Sequence, residues 1–227
     1  MPRATKKPYR SPLRRAHARS TRMAILEAAG KLFSERGYAA TSVDDIAEAA
    51  GVGRATVFAS VGGKPALLKQ AYDVAIVGDD EPVALVERPR SHAIQQDPDP
   101  RRLLAGYAKV ASEIMGRVAG IYEAVRGAAG ADPKARKLWE EVLRQRRAGM
   151  DNLVGAVASK ASLREGLDRE AAADIAWVLT DPWLYLMFVR RRGWTADRYT
   201  AWLAETLQAQ LLPAHNRDKR RNAATAG

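Results

Sequence analysis

The chain has 227 residues, with 37 Lys and Arg against 26 Asp and Glu, three His, no Cys and a formal net charge of +11. That length suits one large or two small domains, and 47% hydrophobic residues suffice to bury a core. The absence of Cys excludes disulfides, thiolate zinc sites, iron–sulfur clusters and cysteine nucleophiles together.

The longest run without a charged residue, Thr206 to Asn216, is far short of the roughly 18 residues a membrane span needs. No apolar core follows the basic N-terminus, so it does not read as a secretory signal. The expectation is a soluble, cytoplasmic protein that does not enter membranes.

The charge is concentrated at the ends. Residues 1–22 carry eight Lys or Arg and no acid, and residues 213–227 carry a net of three, so residues 23–212 are formally neutral. A polycation beside a folded domain is the electrostatic signature of contact with nucleic acid. A solubilising tail has the same composition. A transit peptide fits less well, because Pro2, Pro8 and Pro12 interrupt the segment.

From about Ser20 the pattern is helical: Ile25, Ala28, Ala29, Leu32 and Phe33 recur at helical spacing until Gly37 stops the run. Ser42 opens a second helix with Asp45 three residues on, a partial capping box, and with Val43, Ile46, Ala47 and Ala50 on one face. Gly51-Val52-Gly53 is a turn, Arg54 to Ser60 a short helix, and Gly62-Gly63 a second break. Lys64-Pro65 begins the next helix, whose stripe is Leu68, Ala71, Tyr72 and Ala75.

Residues 78–100, rich in acids and Pro, read as a loop. Helices then continue to Leu212, with breaks expected at Gly120, Gly130–Pro133 and Ser162–Asp168. Residues 172–188 are apolar all round, which requires cover on more than one side. Asp181-Pro182 kinks or restarts that helix, and Thr195 caps the last one. The fold class is all-α.

The pair of short helices at 42–60 has the size and turn of a helix–turn–helix, whose second helix presents polar side chains to the major groove. Arg54, Thr56 and Ser60 are available for that, while Val57 and Val61 pack inward. A helical hairpin without a DNA role has the same local pattern.

The stretch Arg22 to Leu68 resembles the DNA-binding domain of TetR-family transcriptional regulators. The matching features are Ala28-Ala29, Phe33, Gly37-Tyr38, Thr41-Ser42, Ile46-Ala47, Ala50-Gly51-Val52, Thr56, Lys64 and Leu67-Leu68. A weaker likeness extends to Arg192-Gly193-Trp194, Arg198-Tyr199 and Trp202-Leu203. The resemblance implies a three-helix helix–turn–helix domain at 20–66 after a basic disordered arm at 1–19. A helical ligand-binding and dimerisation domain follows at 67–212, with a basic tail at 213–227. It also implies a homodimer that binds double-stranded DNA as a palindromic operator, more often as a repressor, and releases it when a small molecule binds.

By position, Thr41, Ser42 and Lys64 would meet phosphate, and Arg54, Thr56 and Ser60 would face the groove, Arg54 reading guanine. Phe58 stands where the family usually has Tyr, so it keeps the ring but loses a phosphate hydrogen bond. Gly53, Ser60 and Val61 also depart from the pattern. The segment 23–77 has five basic and six acidic residues, so the arm is expected to compensate, with Arg14, Arg15, Arg19 or Arg22 in the minor groove.

Candidates for an apolar or aromatic ligand pocket are Tyr107, Met115, Tyr122, Trp139, Met150, Trp177 and Trp183. Candidates for the dimer interface are Trp183, Tyr199, Trp202, Leu203, Thr206 and Leu207. Arg144, Arg146 and Arg147 are expected on a solvated or interface face.

No catalytic residue, metal site or cofactor is expected, since His17 and His215 fall in the tails and His92 in the loop. The alternative is a DNA-binding protein with a protein effector or none, its helical body an interaction module.

Overall fold

The computed structural model describes residues 12–78 and 85–214. The arm residues 1–11, the loop residues 79–84 and the tail from residue 215 lie outside that description. The fold is all-α, with no strand among the described residues.

Helix α1, Pro12–Arg36, starts eight residues earlier than expected. Pro12 is its first residue, where a missing N–H costs nothing, so the proline opens the helix instead of interrupting it. Arg14, Arg15 and Arg19 therefore lie on a helix, which corrects their placement in a disordered arm. Its inner face is Ile25, Leu26, Ala29, Leu32 and Phe33, all buried, and Gly37 ends it at φ +78°.

Helix α2 is Val43–Ala49. Its capping box is complete: Ser42 N donates to Asp45 Oδ2 at 2.7 Å, and Asp45 N donates to Ser42 Oγ at 3.0 Å. Asp thus performs the role usually given to Glu or Gln. Helix α3, Arg54–Ser60, starts at Gly53 without a side-chain cap, and α4, Lys64–Val77, carries Pro65 in its first turn.

Residues 78–100 are not simply a loop. They contain a 3₁₀ turn, Leu85–Glu87, and helix α5, Pro89–Gln96. This helix has no fully buried residue, so it leaves no apolar period to read.

Helix α6, Pro100–Ala128, runs unbroken through Gly120. The expected break there is corrected by packing: a Cβ on Gly120 would lie 2.7 Å from Ser34 Cβ of α1. The glycine lets two helices touch and does not stop one.

Helix α7, Pro133–Ala158, begins at Asp132, and α8, Arg169–Leu179, at Asp168. Helix α9, Pro182–Tyr185, is capped by Asp181 and passes into a π-helical stretch, Leu186–Arg191. Helix α10, Ala196–Leu211, is capped by Thr195 as expected.

Two apolar cores result. The first joins Ile25, Phe33, Ile46, Val57 and Leu68 to Val118, Ile121, Tyr122, Val125 and Leu138, so it does not stop at residue 66. The second packs α10 and α8 onto the first half of α6, around Leu103, Met115, Val154, Tyr199, Leu203 and Leu207.

Polar bonds reinforce the seam between the N-terminal helices and the body. Tyr38 Oη donates to Asp132 Oδ2 at 2.7 Å, and Arg117 donates to the carbonyls of Ala75 and Ile76 at 3.0 Å each.

The segment Arg169–Arg191 is long and apolar enough, by length and composition, to cross a membrane. It is nevertheless interrupted by Asp181, which is ion-paired to Arg146 of α7 at 2.9 Å.

Two outcomes follow from the seam. Gly120→Ala should destabilise the protein by about 1–3 kcal/mol through overpacking, measured by denaturant unfolding, and Ser34→Gly should recover most of the loss. No rescue would mean that the two helices do not meet there.

The Asp132 carboxyl is held below the usual carboxylate range, chiefly by the hydrogen bond from Tyr38. A carboxyl depressed in the folded state stabilises fully above its unfolded value, about 3.9, and loses that contribution as pH falls through the folded value. The difference in melting temperature between the native chain and Tyr38→Phe should therefore narrow between pH 7 and about pH 3. A constant difference would contradict the pairing.

Candidate nucleic-acid interface

Helices α2 and α3 are set by four inward side chains, Val43, Ile46, Ala47 and Val57, all buried against α1 and α4. Val61 packs on the same core, as expected. This orientation leaves Arg54, Ala55, Thr56, Phe58 and Ala59 exposed along α3, with Ser60 half-buried at its end. Of the expected groove-facing residues, Arg54 and Thr56 are exposed on opposite flanks of Val57, and Ser60 is half-buried.

Arg54 Nη1 pairs with Asp44 Oδ2 on α2. Its guanidinium also lies 5.4 Å from the centroid of the Phe58 ring, within cation–π range. Phe58 is 45% exposed, unusual for an aromatic ring on a short helix.

Ser42 is exposed at the start of α2. Thr41 is not: it is buried, and its hydroxyl donates to the carbonyls of Gly37 at 2.8 Å and Leu32 at 3.3 Å. The expectation that Thr41 meets phosphate is corrected, because its side chain is spent on the end of α1.

Lys64 sits 4.3 Å above the Tyr38 ring, with Nζ 3.4 Å from the Ala39 carbonyl. Partial burial there holds its pKa below the usual lysine value. Tyr38, legible only as part of a family pattern, thus joins Lys64 to Asp132.

Arg14, Arg15 and Arg19 are exposed on the first turns of α1. Arg22 instead donates from Nη1 to the Ser60 carbonyl at 3.0 Å, bracing the end of α3.

In the body, Tyr122, Trp139, Trp177 and Trp183 line one groove of about 490 Å³ with Glu123, Arg126, Leu143 and Asp181. Tyr122 and Trp139 meet edge to face at 5.0 Å.

The other three pocket candidates lie elsewhere. Tyr107 Oη approaches Met150 Sδ at 3.8 Å, and Tyr199 Oη approaches Met115 Sδ at 3.4 Å, all within the second core. Burial pushes the Tyr107 hydroxyl up to about 12. Tyr107, Met115 and Met150 pack in the second core and do not line that groove.

Arg146 also departs from expectation. It points inward to Asp181 Oδ2, Tyr122 Oη at 3.1 Å and the Trp177 carbonyl at 2.8 Å, while Arg144 and Arg147 pair with surface acids.

Of the dimer candidates, Tyr199, Leu203 and Leu207 are fully buried within the protomer against α6, and Trp202 and Thr206 are half-buried. Tyr199, Leu203 and Leu207 are already covered by α6, which corrects the assignment of those three to an interface. Trp183 is 42% exposed, and Val178 at 56% and Met187 at 36% join it on α8–α9 and the π-helical stretch. The signal for Val178 and Met187 was the all-round apolar character of residues 172–188.

His17 on α1 and His92 on α5 are both exposed. Among the described residues no group of His, Asp and Glu is placed to hold a metal ion.

Residues 25–71 match the family of bacterial regulatory proteins, tetR family. No curated protein matches the sequence. Solved structures do match in shape. The fatty acid degradation regulator FadR of Bacillus halodurans aligns with a TM-score of 0.64 at 16% identity, over 90% of this chain and 96% of that one. A Saccharomonospora viridis protein described as a transcriptional regulator, solved with choline, aligns at 0.63 and 18%, over 85% and 97%. A Rhodococcus protein described as a TetR-family regulator aligns at 0.63 and 16%, over 83% and 97%. At such identities the likeness establishes the fold. Residues 25–71 are thus a DNA-binding segment of the tetR family of bacterial regulatory proteins, and most of the chain shares the fold of these solved structures.

Proposed function

We propose that the protein is a cytoplasmic, homodimeric, ligand-responsive repressor that binds a palindromic operator and has no catalytic activity. The observation that carries this reading is the exposed face of α3, where Arg54, Thr56 and Phe58 stand clear of the core on a helix anchored by Val57. Lys64 would hold phosphate at its flank, beside Ser42, whose hydroxyl is engaged by Asp45 at 2.6 Å, and Arg14, Arg15 and Arg19 would extend the contact along the backbone.

Val178, Trp183 and Met187, exposed apolar residues of α8, α9 and the π-helical stretch, would meet a second copy, which would place two recognition helices about 34–36 Å apart or a multiple of that. The four-ring groove suits an apolar or aromatic small molecule. Tyr122 belongs both to that groove and to the core shared with α1 and α4. A ligand there would press on the surface that orients the DNA-binding helices, and operator affinity would fall. The exposed Trp183 at the rim of the groove favours, as a second reading, a protein effector docked on the same face.

Selection of random duplexes on the full-length protein at near-physiological salt should enrich a palindrome. No enrichment, with binding that collapses as salt rises, would overturn the repressor reading. Replacing Arg14, Arg15 and Arg19 by Gln should lower the log–log salt slope of operator binding by about 2–3. An unchanged slope would remove those residues from the DNA.

The dimer is tested separately. Val178→Glu combined with Met187→Glu should convert a sedimenting dimer into a monomer of unchanged helicity. A persistent dimer would move the interface elsewhere.

A further inference from the structure

Helix α3 reads Arg54-Ala55-Thr56-Val57-Phe58-Ala59-Ser60. Its one directional base reader is Arg54. It has no Asn or Gln to pair with the adenine edge, and apart from Arg54 and Ser60 its exposed surface is Ala55, Thr56, Phe58 and Ala59. Those are the side chains that recognise an apolar group in the major groove, the thymine C5-methyl.

Phe58 is also held in place. Its ring lies beside the Gly63 backbone, and the Arg54 guanidinium stands 5.4 Å from the ring centroid, yet 45% of the residue stays exposed. Arg54 is fixed from the other side by Asp44, which engages Nη1 and leaves other donors of the guanidinium available.

We propose that Arg54, clamped between Asp44 and Phe58, reads a guanine, and that Phe58 reads the methyl of the adjacent thymine, so that each operator half-site contains a guanine–thymine step. This inference rests on the operator-binding reading above. It assigns Phe58 a sequence-reading role in place of a lost phosphate contact, and it makes Asp44 a positioning residue. A carboxylate at a DNA interface repels phosphate, so Asp44 lowers affinity for arbitrary duplex while sharpening the choice made by Arg54.

The test uses the full chain and the duplex enriched by selection, with deoxyuridine replacing each thymine in turn. Removing the methyl beside the guanine should weaken binding about fourfold, the effect of one buried methyl group. It should have no effect on Phe58→Ala, whose own affinity is already reduced and whose exposed position leaves folding intact by circular dichroism. Asp44→Asn should relax the guanine preference about tenfold and at the same time tighten binding to random duplex, a pair of opposite changes that a purely structural role would not produce.

An enriched palindrome indifferent to deoxyuridine would overturn the inference and leave the operator reading standing. So would a deoxyuridine penalty that persists in Phe58→Ala. Failure to enrich any palindrome would overturn both.

Discussion

At Gly120 no side chain fits between α1 and α6: the backbone of one helix lies against Ser34 of the other. The rest of the N-terminal architecture depends on this approach. It brings Val118, Ile121, Tyr122 and Val125 into the same core as Ile25, Phe33, Ile46 and Leu68, and so fixes the aim of α2 and α3 relative to the body. Polar bonds brace its edges. Asp132 takes the Tyr38 hydroxyl while capping α7, and Arg117 places a cation on the carbonyl end of α4, where the helix dipole favours it.

The body has its own organising group. Asp181 Oδ1 accepts from the backbone N–H of Trp183 at 2.8 Å, while Oδ2 accepts from Tyr122 and Arg146. One carboxylate therefore caps α9, anchors the kink between α8 and α9, and ties both to α6 and α7. The pair is largely removed from solvent, and removing either partner would leave a charge without its counterion. Tyr122, Asp181 and Trp183 also line the aromatic groove, so its shape is set by a charged network as much as by its rings.

Local features were legible in the sequence wherever their cause is local. Ser42, Asp181 and Thr195 cap the helices they were read to cap, because a cap needs only its own turn. The inward packing of Val57 and Val61 followed from spacing alone.

Features with a distant cause were misread. Gly120 resembled a stop, since Ser34 lies 86 positions away. Tyr199, Leu203 and Leu207 formed a correct apolar stripe, but a stripe does not name its partner, which proved to be α6 of the same chain. Arg146 looked like a surface charge because Asp181, its counterion, comes from another helix. Thr41 matched a motif position, while its hydroxyl was already engaged by the end of α1.

The sharing of one core by α1–α4 and the distal half of α6 also bears on how such a chain can be recombined. A reading head is often treated as a cassette, cut after its helix–turn–helix and joined to another body. Here that cut would expose Val118, Ile121 and Val125 on one product and Phe33, Leu68 and Tyr72 on the other. The transferable unit is discontinuous: residues 12–78 together with the stretch of α6 and α7 from Ile114 to Val142. On the proposed operator-binding reading, a new specificity is therefore inherited more easily by exchanging the exposed side chains of α3 than by shuffling the domain.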